Sequence, residues 1–281
     1  MYKYSMTQWV SGKEPLEVTA KRLKKSGYDA IELSAEPLQD LEKIRCILEK
    51  YSLPCSSLCG IFPKERDLSS SDEEIRRNAI NYLKASIDMA AYLGCKTLIT
   101  VPSAVGLHAP AESMERAWDN SCRSLREAAD YADKRGIFLA IEAINRFETF
   151  LINDIASAKT FLEEINHPQV KLMIDLFHMN IEERNVEKAV NMAAPYLIHV
   201  HLADNTREPV GMGQIDLLHI YRLLQKISYN GYLTMEFMPR VSNPYLAAEK
   251  EGAAQIFDSY TQEALVYCKT IEKIIDDHKG Q

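Results

Sequence analysis

The chain has 281 residues, 46% of them hydrophobic and 26% charged, and a net charge of −7. This balance suits a globular protein with one large core and argues against a nucleic-acid binder, which carries a basic face. No apolar run reaches the roughly 20 residues of a membrane span, and the N-terminal Met1-Tyr-Lys-Tyr-Ser-Met-Thr-Gln-Trp9 lacks a secretory apolar segment, so the expectation is a cytoplasmic protein with no membrane partner. The cysteines Cys46, Cys55, Cys59, Cys95, Cys122 and Cys268 are scattered, with only a C-x₃-C among them. That spacing predicts reduced thiols, not a structural zinc site.

Along the chain, Lys3 to Met6 reads as a first strand. Pro15 opens a helical pattern that Gly27 closes. A second strand covers Tyr28 to Leu33, and a helix Leu38 to Tyr51. A short third strand, Cys55 to Leu58, leads into a loop from Gly60 to Ser71 that reads as polar and irregular. Asp72-Glu-Glu starts a long helix ending at about Leu93, capped by Gly94. The fourth strand is Lys96 to Val101, followed by a helix from Ala111 to Arg135. Phe138 to Ile141 is the fifth strand, with a helix Asp154 to Ile165 after it. Val170 to Ile174 is the sixth, followed by a helix Asn185 to Ala194. Ile198 to Val200 is the seventh, and Asp216 caps a helix over Leu217 to Ile227. Tyr232 to Met235 is the eighth, and a last helix ends near Asp276. Strands alternating with helices imply parallel βαβ units. Eight units in this length predict one (β/α)8 TIM barrel, a single domain spanning residues 1–281. No G-x-G-x-x-G follows the first strand, which removes a dinucleotide-binding fold.

Four of these strands end in a potential ligand. Glu142, Asp175, His201 and Glu236 follow strands five, six, seven and eight, at the barrel end where active sites lie. A carboxylate at the tip of a buried strand is costly unless something pairs with it. Alternation puts Ala140, Met173, His199 and Thr234 toward the barrel interior, and Ile141, Ile174, Val200 and Met235 toward the helices. Taken singly, each acid is equally a local ion pair and His201 a core histidine. Four in matching positions point to a shared divalent cation, because three converging carboxylates otherwise repel. Three oxygen donors and an imidazole suit Mn²⁺, Co²⁺ or Mg²⁺ and admit Zn²⁺. Glu148, His178 and Arg207 follow closely and, above a metal, could bind a polyhydroxylated ligand. Glu32 is as readily structural as functional. His108 is a weaker candidate, and His167, His219 and His278 read as surface positions. Trp9 and Phe150 read as core aromatics or as an apolar wall.

The segments Glu142-Ala-Ile-Asn-Arg-Phe-Glu148, Met173-Ile-Asp-Leu-Phe-His-Met-Asn180 and His201-x₅-Arg207, with Gly211-Met-Gly213 after it, carry a likeness. The chain resembles ketose 3-epimerases of the tagatose/psicose 3-epimerase type, within the xylose isomerase-like sugar isomerase/epimerase superfamily. The resemblance implies that Glu142, Asp175, His201 and Glu236 bind Mn²⁺ or a similar ion and that Glu142 and Glu236 double as the acid/base pair. It also implies that Glu148, His178 and Arg207 contact a sugar substrate, and that the protein forms dimers or tetramers. The expected chemistry is C3 epimerisation of a ketose, whose C3 hydrogen is acidic beside the C2 carbonyl. Two loops depart from the family pattern. Thr100-Val-Pro-Ser-Ala-Val-Gly106 stands where a Gly-Gly turn is usual, and Ser34-Ala-Glu-Pro37 also differs; both are expected to shape the substrate pocket. A second reading is a lyase acting on 3-oxo-glycosides by proton abstraction and β-elimination, as in C-glycoside deglycosidases with a smaller β-rich partner subunit. An apurinic endonuclease needs more histidines than this mouth supplies, and a non-catalytic sugar-binding barrel leaves the paired carboxylates idle.

Overall fold

The computed structural model describes residues 2–240 and 253–279, with side chains as far as residue 277. The surface position expected for His278 falls outside the described side chains. The strands are β1 Lys3–Met6, β2 Ile31–Ser34, β3 Cys55–Cys59, β4 Thr97–Thr100, β5 Phe138–Ile141, β6 Val170–Asp175, β7 Leu197–Leu202 and β8 Tyr232–Met235. They form one parallel sheet in the order β1-β8-β7-β6-β5-β4-β3-β2. Its two ends meet where Thr7 bridges Glu32 and the Gln8 N–H donates to the Glu32 carbonyl at 2.8 Å. The expected eight-stranded α/β barrel is therefore the fold.

Helices α1 Leu16–Ser26, α2 Leu41–Tyr51, α3 Glu73–Leu93, α4 Met114–Asp133, α5 Ile155–Ile165, α6 Leu176–Glu182, α7 Val186–Ala193, α8 Leu217–Lys226 and α9 Ala253–Lys279 surround it. Their starts follow local chemistry. Asp40, Asp72, Ser113, Asp154, Asn185 and Asp216 each accept a hydrogen bond from a first-turn amide, satisfying a donor the helix cannot. Gly27 and Gly94 end α1 and α3 at φ 91° and 75°, a left-handed region open to glycine. None of the described helices is long and apolar enough to cross a membrane.

Several boundaries differ from the sequence expectation. The second strand begins at Ile31, because Tyr28 instead packs inward and donates from its hydroxyl to the Thr261 carbonyl at 2.9 Å. The sixth and seventh strands run on through Asp175 and His201, so these two residues sit within the ladder and pair with one another in register. Helix α6 was not expected. It starts directly on the last residue of β6, without the linker that usually marks a helix start.

The alternation predicted for the ligand-bearing strands holds. Ala140 and Met173 join Cys59 and Ile99 in a small apolar cluster inside the barrel. Ile141, Ile174, Val200 and Met235 belong to the larger core shared with the helices. His199 and Thr234 are buried among the interior polar groups. Cys46 is exposed, the other five cysteines are buried, and all six are free thiols.

Candidate active site

The C-terminal mouth of the barrel is organised by backbone first. Beyond the strand ends, Glu142 N–H donates to the Thr100 carbonyl at 3.2 Å and Glu236 N–H to the Leu202 carbonyl at 3.0 Å. These bonds extend the ladder by one residue and fix both carboxylates at the rim. Asp175 and His201 are held by the β6–β7 register. The result is a buried quartet, Glu142, Asp175, His201 and Glu236, with one potential ligand atom from each lying within 4.8 Å of all the others.

Two orphaned atoms test whether a cation fits. Asp175 uses Oδ1 to cap α6, accepting from Phe177 N–H at 2.6 Å and His178 N–H at 3.4 Å, while its Oδ2 has no hydrogen-bond partner. His201 points Nε2 at Glu32, whereas Nδ1, 3.3 Å from Glu236 Oε1, has no hydrogen-bond partner. A buried polar atom left unsatisfied costs about 1–3 kcal/mol. Both orphans belong to the quartet, and the donor set of carboxylates plus imidazole is that of a divalent cation site.

The electrostatics of the side chains alone tell the same story. Burial, and then the charge of Glu236, push the Glu142 carboxyl well above its usual range. Burial also raises Asp175, against the opposing pull of His178 and Arg207. Burial would raise Glu236 too, but His201 and Arg207 outweigh it and hold the group down at about 2. Burial works against a charged His201, yet Glu32 and Glu236 lift it well above the ordinary histidine value. Carboxylates packed this closely split in this way because they cannot all ionise freely without a cation.

The three residues expected to contact substrate stand around this quartet. Arg207 adopts φ 63°, unusual for a residue with a side chain, and its loop is built to hold it there. Asp204, fully buried, accepts from the amides of Asn205, Gly211 and Ile215 at 2.8, 2.9 and 3.1 Å. Gly213 is needed beside it, since a Cβ there would lie 2.2 Å from Asp204 Oδ1. The Arg207 guanidinium reaches Glu236 Oε2 at 2.7 Å and stacks on Phe177 at 4.4 Å. His178 lies with Nε2 3.8 Å from both Glu142 Oε1 and Asp175 Oδ2, and burial lowers its pKa to about 3, so it is neutral. Asn145 joins His178 to Glu148: its Nδ2 lies 2.8 Å from His178 Nδ1 and donates to Glu148 Oε1 at 2.9 Å. Glu148 itself is half-buried.

A cavity of about 380 Å³ opens over these groups. Its polar end is Glu142, Glu148, His178, Arg207 and Glu236, and its other walls include Trp9, Ile61, Phe62, Pro63, Val101, Val105 and Ile144. Trp9 also donates to Glu236 Oε1 at 2.9 Å. Phe150 does not reach this cavity; it packs, half-buried, against the core. The segment Ser34 to Pro37, from the last residue of β2 into the loop after it, is absent from the lining, because Ala35 is drawn inward by bonds to Cys59 and Tyr82. The lining comes instead from the start of the loop after β3, which is apolar where a polar loop was expected, and from Val101 and Val105 after β4. Gly60 allows this turn: a Cβ there would sit 2.5 Å from the Ile99 carbonyl oxygen. His108 and His219 are exposed, and His167 is half-buried 3.5 Å from Asp130.

Sequence reasoning missed Asn145, Asp204 and the pairing of Glu32 with His199 and His201. The two histidines sit two apart on one strand and so share a face, which was the available signal. Asp204 and Asn145 gave none, since their role lies in backbone and side-chain contacts made only after folding.

Comparison with known proteins agrees with this geometry. An L-ribulose 3-epimerase of Methylomonas sp. (strain DH-1) is 32% identical over 228 residues, 79% of each chain. A 3-dehydro-D-guloside 4-epimerase of Escherichia coli (strain K12) is 28% identical over 230 residues, 79% of this chain and 87% of its own. A crystal structure of D-psicose 3-epimerase with D-tagatose, from Clostridium cellulolyticum H10, superposes with a TM-score of 0.86 at 24% identity, covering 96% of this chain and 99% of that one, a likeness of fold. The profile of one family, described as xylose isomerase-like TIM barrel, matches residues 20–258. The chain is therefore an enzyme and belongs to the xylose isomerase-like TIM-barrel family.

Proposed function

We propose that the protein epimerises a ketose at C3, with Mn²⁺ as the preferred cation in the quartet of Glu142, Asp175, His201 and Glu236. The observation that carries this reading is the position of Glu142 and Glu236, two buried carboxylates from strands three apart that both face the cavity and both belong to the quartet. A divalent cation held there would polarise the substrate's C2 carbonyl and so acidify the C3 hydrogen. One glutamate removes the C3 proton and the other delivers a proton to the opposite face, so the product differs only in configuration. Arg207, beside Glu236, favours its ionised form and offers further N–H groups toward the sugar. Neutral His178 and Glu148, tied together through Asn145, supply a donor and an acceptor for hydroxyl groups. The apolar walls keep water from the reacting carbon.

The test is incubation of the protein in D₂O with Mn²⁺ and a panel of free ketoses and 3-oxo-glycosides, followed by NMR. Deuterium at C3 together with the C3 epimer supports the proposal. Exchange or elimination only with a 3-oxo-glycoside would replace it with chemistry on oxidised glycosides.

A further inference from the structure

Beneath the quartet lies a second cluster of buried polar groups that the proposed reaction does not use. Glu32, in β2, faces across the barrel interior to β7 and is fully buried. Both its oxygens lie 3.1 Å from His201 Nε2. His199 Nε2 lies 3.0 Å from Glu32 Oε2, and Ser57 Oγ donates to the same oxygen at 2.6 Å. Ser56 continues the chain, bonding Ser57 at 3.2 Å and Ser5 at 2.7 Å. The rings of His199 and His201 meet edge to face, 5.2 Å between centroids. His201 is thus hydrogen-bonded through Nε2 alone, and Nδ1, without a hydrogen-bond partner, is turned toward Asp175 and Glu236, 3.3 Å from Glu236 Oε1.

We propose that Glu32 is a positioning residue for the cation site: it accepts a hydrogen bond from His201 Nε2–H, fixes the tautomer, and presents Nδ1 as the ligand atom. His199 and Ser57 hold Glu32 in place for this task. The idea deepens the metal-site reading above and rests on it. A carboxylate behind a ligating imidazole orients the ring and raises its basicity, and losing such a partner costs about 10–100-fold in metal affinity.

The same three side chains, Glu32, His199 and His201, also lie close enough to hold a cation of their own. Sharing His201 between two ions would require both its nitrogens deprotonated, so a positioning role and a second ion are mutually exclusive.

The experiment titrates the metal-stripped full-length chain with Mn²⁺ by calorimetry, for the wild type, Glu32→Gln and Ser57→Ala. Thermal unfolding of the metal-free proteins runs alongside as a check on folding. The expected result is one Mn²⁺ per chain in all three, with affinity about 10–100-fold weaker in Glu32→Gln and a smaller weakening in Ser57→Ala. In ¹⁵N-histidine NMR of the Mg²⁺-loaded wild type, His201 should carry its one ring proton on Nε2, hydrogen-bonded to Glu32, and Glu32→Gln should weaken that bond. If Glu32→Gln fails to fold, Ser57→Ala and the wild-type tautomer decide the matter. Unchanged affinity in the folded variants, a His201 without a proton on Nε2 in the Mg²⁺-loaded protein, or two Mn²⁺ per wild-type chain overturns the proposal. None of these readouts needs turnover, so a failure of the ketose reading shows separately, in the D₂O incubation, while absence of any Mn²⁺ binding overturns both.

Discussion

The two halves of the barrel carry different work. Strands β5 to β8 deliver Glu142, Asp175, His201 and Glu236 at their tips, and the loop after β7 delivers Arg207. Strands β1 to β4 deliver no member of that quartet. They supply Trp9, the apolar wall from Ile61 to Pro63, Val101 and Val105, and, deeper, Glu32 behind His201. Under the proposed function, the difference means that reaction type and substrate choice are set in separate places. Chemistry depends on side chains fixed by the strand ladder, whereas the space above them depends on two loops that fold around Gly60 and Val105.

That division is open to attack. Stripping the cation with a chelator should abolish turnover, and Mn²⁺ should restore it. The metal-free protein should also unfold at lower temperature, since a ligand at 100 times its Kd stabilises by about 2.7 kcal/mol. An unchanged unfolding temperature would mean that the quartet holds no ion in the folded state. Next in size, Glu142→Gln should lower kcat by about 10²–10⁴-fold with the fold retained. Near-normal turnover in that variant removes the two-glutamate scheme.

How much of this was legible before folding follows from the same division. The quartet stood out because an apolar run stops abruptly in Glu142, Asp175 or Glu236, and the inward or outward parity of Ala140, Met173 and Val200 agreed with it. Glu32 was ambiguous, because its partner His201 is 169 residues away and meets it only across the closed barrel. Asp175 hid a second role, as the cap of α6, since nothing between β6 and that helix marks the boundary. The loops misled most. Ser34 to Pro37 departs from the family pattern yet is pulled away from the cavity, and Ile61-Phe62-Pro63, masked by the polar residues after it, forms the wall. Local pattern reports on strands; which loop leans over the mouth depends on long-range contacts such as the Tyr82 hydroxyl on the Ala35 carbonyl.

Smaller effects sharpen the contrast between the halves. Arg207→Ala removes a buried ion pair with Glu236. Hydrogen bonds to charged groups contribute about 1.5–3 kcal/mol, so kcat/KM should fall by roughly 10–100-fold in steady-state assays. A variant that keeps full kcat/KM would show that Arg207 serves only the loop. On the other side, Gly60→Ala should cost about 1–3 kcal/mol in denaturant unfolding, as its Cβ meets the Ile99 carbonyl. Val105→Thr should move the relative rates among ketoses by about tenfold or less while leaving metal affinity untouched. If Val105→Thr instead weakens metal binding, the halves are not separate.

The central claim is that four strand tips share one cation, and counting bound Mn²⁺ tests it most directly. The account predicts one equivalent per chain in the wild type, one in Val105→Thr, and a site lost or severely weakened in Asp175→Asn with its fold intact. Undiminished binding in Asp175→Asn would contradict it.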